Sequence, residues 1–197
     1  SGGLPNFNIV GLPDISIKES KERVRSAIKN SRFDFPVSRI TVNLAPANLK
    51  KEGSQIDLPI AVGILTASKV IKPVDEKICI IGELSLDGRI TAIDGALPMV
   101  ISMRNKSFNK AIVPEDNKEE CGAIEGIEII PVDSITQLVD YLNGNLYIEP
   151  YKSKYNFQDK PDYYNEDFSE IKGQPAMKRA VEIAAAGMHN ILLLGNP

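Results

Sequence analysis

The residue types that could do chemistry gather at three places in this sequence. At its end, the apolar run Ile191-Leu192-Leu193-Leu194 leads into Gly195-Asn196-Pro197. A buried strand runs in this way into a phosphate loop of the form Gly-x-x-x-x-Gly-Lys-[Ser/Thr], whose backbone N–H groups cradle phosphates while the lysine reaches the terminal ones and the hydroxyl ligates Mg²⁺. Gly195, Asn196 and Pro197 would open that loop, and its lysine and hydroxyl would lie beyond Pro197. A second place is Lys50-Lys51-Glu52-Gly53-Ser54-Gln55, where a hydroxyl stands near two amines. Nucleophilic attack by serine needs a neutral base beside it, and an exposed lysine keeps its proton at neutral pH. That loop therefore reads equally as a solvated turn.

The third place is a basic span. Between Lys18 and Lys51 stand nine Lys or Arg residues against three Asp or Glu, a local charge of +6 in a chain of net charge -3. Lys18, Lys21, Arg25, Arg39, Lys50 and Lys51 are the candidates for contact with DNA phosphates. A solvated amphipathic helix accounts for the same charges, because acids are interspersed and no aromatics interleave for base stacking. His189 is the single histidine, placed for packing or capping at a helix end. Cys79 lies in the apolar run Ile78-Cys79-Ile80-Ile81, as a buried free thiol would, and Cys121 has no metal-ligand spacing to it. No metal site is expected.

These groups must be held by an ordinary globular chain. It has 197 residues, 43% hydrophobic and 25% charged, with no apolar stretch of about 18 residues to cross a membrane. Ser1-Gly2-Gly3 carries no signal-peptide pattern, and two cysteines make no disulfide framework, so the cytoplasm is the expected compartment.

Strand-like and helix-like runs alternate to about Ile148, which predicts an α/β domain. Phe7 to Val10 reads as a strand. Ser16-Ile17-Lys18-Glu19 has the form of a capping box that opens a helix to about Asn30, with Ile17, Val24, Ala27 and Ile28 on one face. Arg39 to Ala45 alternates as a strand. Asp57 is placed to cap a buried helix to about Ser68, with Pro59 in its first turn. Ile78 to Glu83 and Arg89 to Ile93 flank an Asp87-Gly88 hairpin signal. Helix, strand, helix, strand and helix then follow at Ala96 to Lys106, Lys110 to Val113, Asn117 to Ile124, Glu128 to Val132 and Ser134 to Leu142. From Tyr147 the composition turns to tyrosine, proline and charge, which predicts domains over 1–148 and 168–197 joined by a linker over 149–167.

Several runs together resemble one family, the magnesium-chelatase-like AAA+ ATPases of the YifB/ComM type. In the second block these are Phe168-Ser169-Glu170-Ile171-Lys172-Gly173-Gln174 and the stretch from Lys178 through His189-Asn190. In the first they are Gly3 to Asp14, Lys18-Glu19-Ser20 through Val24-Arg25-Ser26-Ala27-Ile28, Ile40 to Ala47, Asp57-Leu58-Pro59-Ile60-Ala61 and Gly82 to Gly88. The resemblance implies an ATP- and Mg²⁺-dependent ring assembly, commonly a hexamer of identical subunits, that handles DNA during uptake and recombination. It also implies a further strand before Gly3, and an AAA+ module that the sequence enters and leaves inside its phosphate loop. No ATP binding is expected of these residues by themselves.

The first block also resembles the proteolytic domain of Lon, a fold shared with domain two of ribosomal protein S5. Lon places a serine nucleophile two residues after Lys-Asp-Gly and a lysine base in Gly-Gly-Leu-Lys. Laying Lys51-Glu52-Gly53 on the first motif puts Gln55 at the serine position. Laying Gly82 to Arg89 on the strand pair before the second puts Leu97 at the lysine position. Gln55 cannot attack and Leu97 cannot take a proton, so the resemblance implies the fold without the catalytic dyad. The expected function is an accessory domain of a DNA-associated motor. The alternatives are the ATPase subunit of a magnesium chelatase and, against the missing dyad, a peptidase using Ser54.

Overall fold

The computed structural model describes residues 6–46, 48–49, 51–153 and 168–195. The chain divides into two compact units, 1–156 and 157–197.

In the first unit, β1 (Asn6–Val10) and β2 (Arg39–Asn43) pair in parallel, Asn6 opposite Arg39 through Val10 opposite Asn43. Parallel neighbours need a crossover, and α1 (Ile15–Asn30) supplies it. Its Ile17, Val24, Ala27 and Ile28 are all fully buried, as their spacing on one helical face requires. The cap differs from the expected one. Asp14, not Ser16, is the N-cap, its carboxylate accepting the Ile17 N–H at 2.8 Å. Ser16 is already helical, and its carbonyl is taken up by the Arg23 guanidinium at 3.0 Å.

α2 (Asp57–Ala67) is buried nearly all round, which its apolar run predicts. Asp57 does not cap it: the N-cap is Ile56, and the Asp57 side chain turns inward to the site described below. The run read as one strand over Ile78 to Glu83 divides in two. β3 (Ile78–Ile80) joins a parallel sheet, while β4 (Glu83–Leu84) pairs antiparallel with β5 (Ile90–Thr91). The break falls at Ile81-Gly82, where the Ile81 N–H donates to Ile112 O and the Gly82 N–H turns to Gln55 O.

The hairpin signal holds. Gly88 has φ +92°, and an added Cβ would lie 2.1 Å from Ser31 Oγ, at the cap that ends α1. Glycine alone combines that left-handed turn with so close an approach. Asp87 is held at about 2 by the hydroxyl of Ser85, then by the backbone N–H and guanidinium of Arg89.

The parallel sheet runs in the order β3, β6 (Lys110–Pro114), β7 (Glu128–Val132). Successive side chains of a strand point to opposite faces. Ile112, Ile130 and Val132 accordingly face the cluster formed with α1, α2 and α5 (Ile135–Asn143). Ala111, Val113 and Ile129 face a second cluster with α3 (Ala96–Asn105) and α4 (Lys118–Cys121). Coverage on both faces explains why these strands read as continuous apolar runs. The helix expected over Asn117 to Ile124 is shorter, a 3₁₀ turn at Glu115–Asn117 followed by the single turn of α4. The buried Asn117 side chain bonds the N–H and carbonyl of Ile93 at 3.0 Å each.

The stretch read as linker begins as part of this unit. Tyr151 N–H donates to Ile129 O at 2.8 Å, and Ser153 N–H to Gly122 O at 3.0 Å. Residues 154–167 lie outside the described ones.

In the second unit a 3₁₀ turn, Phe168–Glu170, precedes α6 (Pro175–Ala186), which starts with proline in its first turn. The strand expected over Ile191 to Leu194 is absent. These four residues are exposed and outside any ladder, because a strand needs a neighbour to accept and donate its hydrogen bonds and the described residues of this unit offer none.

Candidate functional site

The loop after β2 is fixed from the side of α1. Asp14 uses both carboxylate oxygens: one caps α1, and the other accepts the Gly53 N–H at 3.1 Å. Main-chain bonds from Asp14 N to Lys51 O, at 3.1 Å, and from Lys51 N to Leu12 O, at 3.2 Å, complete the tie. The Lys51 amine donates to Pro46 O, so this candidate cation is half-buried in its own loop. Lys50 lies outside the described residues, as do Asn196 and Pro197.

Ser54 does not meet an amine. Its hydroxyl donates to the Glu83 carboxylate, at the start of β4. Gln55 turns back on its loop, its Nε2 donating to Glu52 O at 2.7 Å. Leu97 is half-buried in the first turn of α3. None of these contacts joins a serine to a lysine amine.

Beside the loop lies a polar cluster that the sequence did not disclose. Asp57 has no solvent exposure. Its carboxylate accepts from the Ser20 hydroxyl, from Arg23 Nε at 2.6 Å, and from the Leu84 N–H at 3.4 Å. Arg23 Nη2 adds a fourth bond at 3.2 Å, and since an isolated buried carboxylate would be prohibitive, these four donors from three residues are what permit it. The hydrogen bond to Asp57 raises the pKa of the Arg23 guanidinium, and the charges of Asp57, Glu83 and Glu19 add to the shift. The arrangement is a clamp joining α1, α2 and β4. With its charges satisfied within the protein, it offers no group to a substrate.

The basic candidates divide by orientation. Lys18, Lys21, Arg25 and Lys29 recur every three or four residues and line one outward stripe of α1. Lys18, Arg25 and Lys29 are exposed, Lys21 is half-buried, and none of the four is ion-paired among the described residues. Glu22 is the acid within the stripe. Arg39 is exposed at the start of β2. The expectation that no aromatic serves this surface is corrected here. Phe35 lies beneath Arg25, with Arg25 Cζ 5.6 Å from the ring centroid, and Phe7 of β1 packs against Phe35 at 5.8 Å. The fold brings them in from outside the helix, where helical spacing gives no sign of them.

His189 is exposed, its N–H donating to Ala184 O at 2.8 Å. Its ring lies so close to Gly187 that an added Cβ there would meet Cδ2 at 2.5 Å. It packs at the end of α6, as its position predicts. Of the residues expected to open a phosphate loop only Gly195 is described. It is exposed, and a Cβ placed on it would have nothing within 4 Å. The described residues thus provide no set of donors for ATP phosphates or Mg²⁺. Among the described residues no group of three or more His, Cys, Asp or Glu could hold a metal, and no helix is long and apolar enough to cross a membrane.

Comparison with known proteins places this geometry. A family model described as "Subunit ChlI of Mg-chelatase" matches residues 1–117, and one described as "Magnesium chelatase, subunit ChlI" matches residues 167–197. The competence protein ComM of Haemophilus influenzae is 40% identical over 203 residues, covering all of this chain and 39% of ComM. The protein YifB of Escherichia coli, described as uncharacterized, is 40% identical over 199 residues, again covering all of this chain and 38% of YifB. Lon protease 2 of Bacillus subtilis is 30% identical over 129 residues, covering 65% of this chain and 23% of the protease. The chain therefore spans about two fifths of the length of the ComM and YifB relatives it matches. This chain therefore belongs to the magnesium-chelatase ChlI-like family, as a member of the ComM/YifB type.

Proposed function

We propose that this chain is a non-proteolytic, Lon-like accessory domain, followed by the opening of a P-loop AAA+ module, in a DNA-associated ATP-driven motor of the cytoplasm. The observation that carries the DNA part is the stripe of Lys18, Lys21, Arg25 and Lys29. Four cations stand on one outward helical face with Glu22 as the acid among them, and none of the four is ion-paired among the described residues, in a chain whose net charge is -3. A structural helix of an acidic protein has no need of that segregation, whereas a phosphate backbone does. The name of the competence protein ComM, a relative over the whole of this chain, agrees with a role beside DNA.

The non-proteolytic part follows from the loop. Gln55 and Leu97 stand where the Lon alignment needs a serine and a lysine, and the neighbouring Ser54 hydroxyl donates to the Glu83 carboxylate. ATP, Mg²⁺ and a ring of identical subunits belong to the longer protein in this reading.

The experiment is DNA binding at two salt concentrations, by the longer protein with and without its first domain and by the 197-residue chain. Each phosphate contact releases counterions, so affinity falls steeply with salt. A salt-sensitive loss on deleting the first domain is expected. Unchanged binding would overturn recruitment of DNA by this domain and leave it a structural part of the ring.

The family description favours a second reading, the ATPase subunit of a magnesium chelatase. Porphyrin-dependent ATP turnover by the longer protein would establish it in place of the first.

A further inference from the structure

Between β1, α1 and the segment after α1 lies a small cleft of about 140 Å³. Its walls include Phe7 and Phe35, the cations Arg25 and Lys29, and the polar side chains of Asn6 and Ser38. Val37 forms part of its rim and is 87% exposed, a large apolar side chain left in water. The two phenylalanine rings meet at 45°, and the Arg25 guanidinium lies over Phe35 at 5.6 Å. Arg25 and Lys29 are also the last two cations of the α1 stripe. From Lys18 to Lys29 that stripe runs about 16 Å along the helix axis.

This juxtaposition is specific in its chemistry. Duplex DNA presents phosphates outward and keeps its base faces stacked, so it can use the stripe but not the cleft. A single strand presents both. Aromatic rings and guanidinium planes accept an unstacked base, and neighbouring cations hold the phosphates that flank it. Asn6 and Ser38 are the uncharged polar residues of the same lining.

Resting on the DNA-association reading above, we propose that this surface selects single-stranded DNA, with the backbone along Lys18, Lys21, Arg25 and Lys29 and one base inserted at Phe35. Phe35 is the positioning platform, and Lys29 and Arg25 supply the charge. Val37 closes over the base and loses its contact with water.

The test measures fluorescence anisotropy of the 197-residue chain with labelled oligothymidylate and with a duplex of equal length, at two salt concentrations. Tighter binding to oligothymidylate is expected. Lys29→Ala weakens both ligands and lowers the salt slope by about one contact. Phe35→Leu keeps an apolar side chain against the core but removes the π face, and it lowers affinity for oligothymidylate about tenfold while sparing the duplex. Val37→Ser, on a rim that is 87% exposed, removes the apolar contact without adding charge and provides the same reading with little demand on folding. Equal binding to both ligands, or a single-strand preference untouched by Phe35→Leu and Val37→Ser, overturns this inference and leaves the DNA reading standing. Binding of neither ligand removes both.

Discussion

Arg23 Nε lies 2.6 Å from Asp57 Oδ2, joining the middle of α1 to the first residue of α2 through a carboxylate with no exposure to solvent. The two residues are 34 apart in sequence, and Ser20 adds its hydroxyl to the same carboxylate from one helical turn away. Removing one partner of such a pair strands the other charge, which costs far more than the pair itself contributes.

Arg23→Ala is therefore expected to lower unfolding stability by about 3 kcal/mol, because it leaves Asp57 buried and short of its charged partner. Asp57→Asn destabilises for a related reason, setting an amide donor against Arg23 and the Leu84 N–H. The double variant costs less than the sum of the two, with a coupling of about 2 kcal/mol in a denaturant-based cycle. Strict additivity would show that the two side chains act independently and that the clamp does not hold α1 to α2.

That pair also marks where sequence reading stops. An aspartate opening an apolar helix is what a cap looks like, and the one-dimensional pattern of Asp57 is the same whether it faces outward or in. Only the packing of α1 on α2 decides it, through Ser20 and Arg23, whose own spacing within α1 reads as an ordinary polar flank. Asp14 and Ser16 form the converse case. Both are capping residue types near one helix start, and the choice went to Asp14 because its second oxygen also secures Gly53. By contrast, the buried face of α1 was legible from its periodicity, and β6 and β7 from continuous apolar runs that mark burial on both faces. The Ile78 to Glu83 run misled for lack of any local signal that its two halves serve different sheets. In the basic surface the cations were legible, and so was Phe35, which stands between Arg32 and Arg39 in the same span; its meeting with Arg25 and Phe7 was not, since that comes only through tertiary packing.

Ser54 is expected to stay inert toward fluorophosphonate probes that label serine nucleophiles. Its hydroxyl is engaged by the Glu83 carboxylate, and the amine nearest in sequence among the described residues, that of Lys51, is donating to Pro46 O. No neutral amine is in place to take the proton. Labelling of this chain that disappears in Ser54→Ala would restore the peptidase reading and sink the accessory one.

Alkaline pH gives a third test. Burial pushes the Cys79 thiol up to about 11, and burial followed by the charge of Glu120 pushes Cys121 up to about 12, from an ordinary 9.0. Both thiols thus hold their protons in the folded chain at a pH where the unfolded chain releases them. The stability they support is intact below pH 9 and is lost as pH rises toward 11 and 12. The slope is about 1.4 kcal/mol per pH unit for each thiol. Thermal unfolding followed upward from pH 8 will show the fall, and Cys79→Ala with Cys121→Ala will flatten it. An unchanged slope in that variant would mean that other groups carry the alkaline loss.

Hydrogen exchange separates the two units. α1 has five buried residues, Ile17, Ser20, Val24, Ala27 and Ile28, so opening it exposes much of the first core. α6 has one, Ala184, while Ile183, Met188 and Leu192 to Leu194 stand in water. Local opening is cheap where little apolar surface is buried, and a short helix with one buried contact gains little from propensity alone. Amides of Pro175–Ala186 are therefore expected to exchange at least a hundredfold faster than those of Ile15–Asn30 in the 197-residue chain, at a pH where exchange reports equilibrium opening. Equal protection in the two helices would mean that α6 is held by a partner, most simply a second copy covering the exposed leucines. Sedimentation of the same sample would then reveal that copy as a dimer.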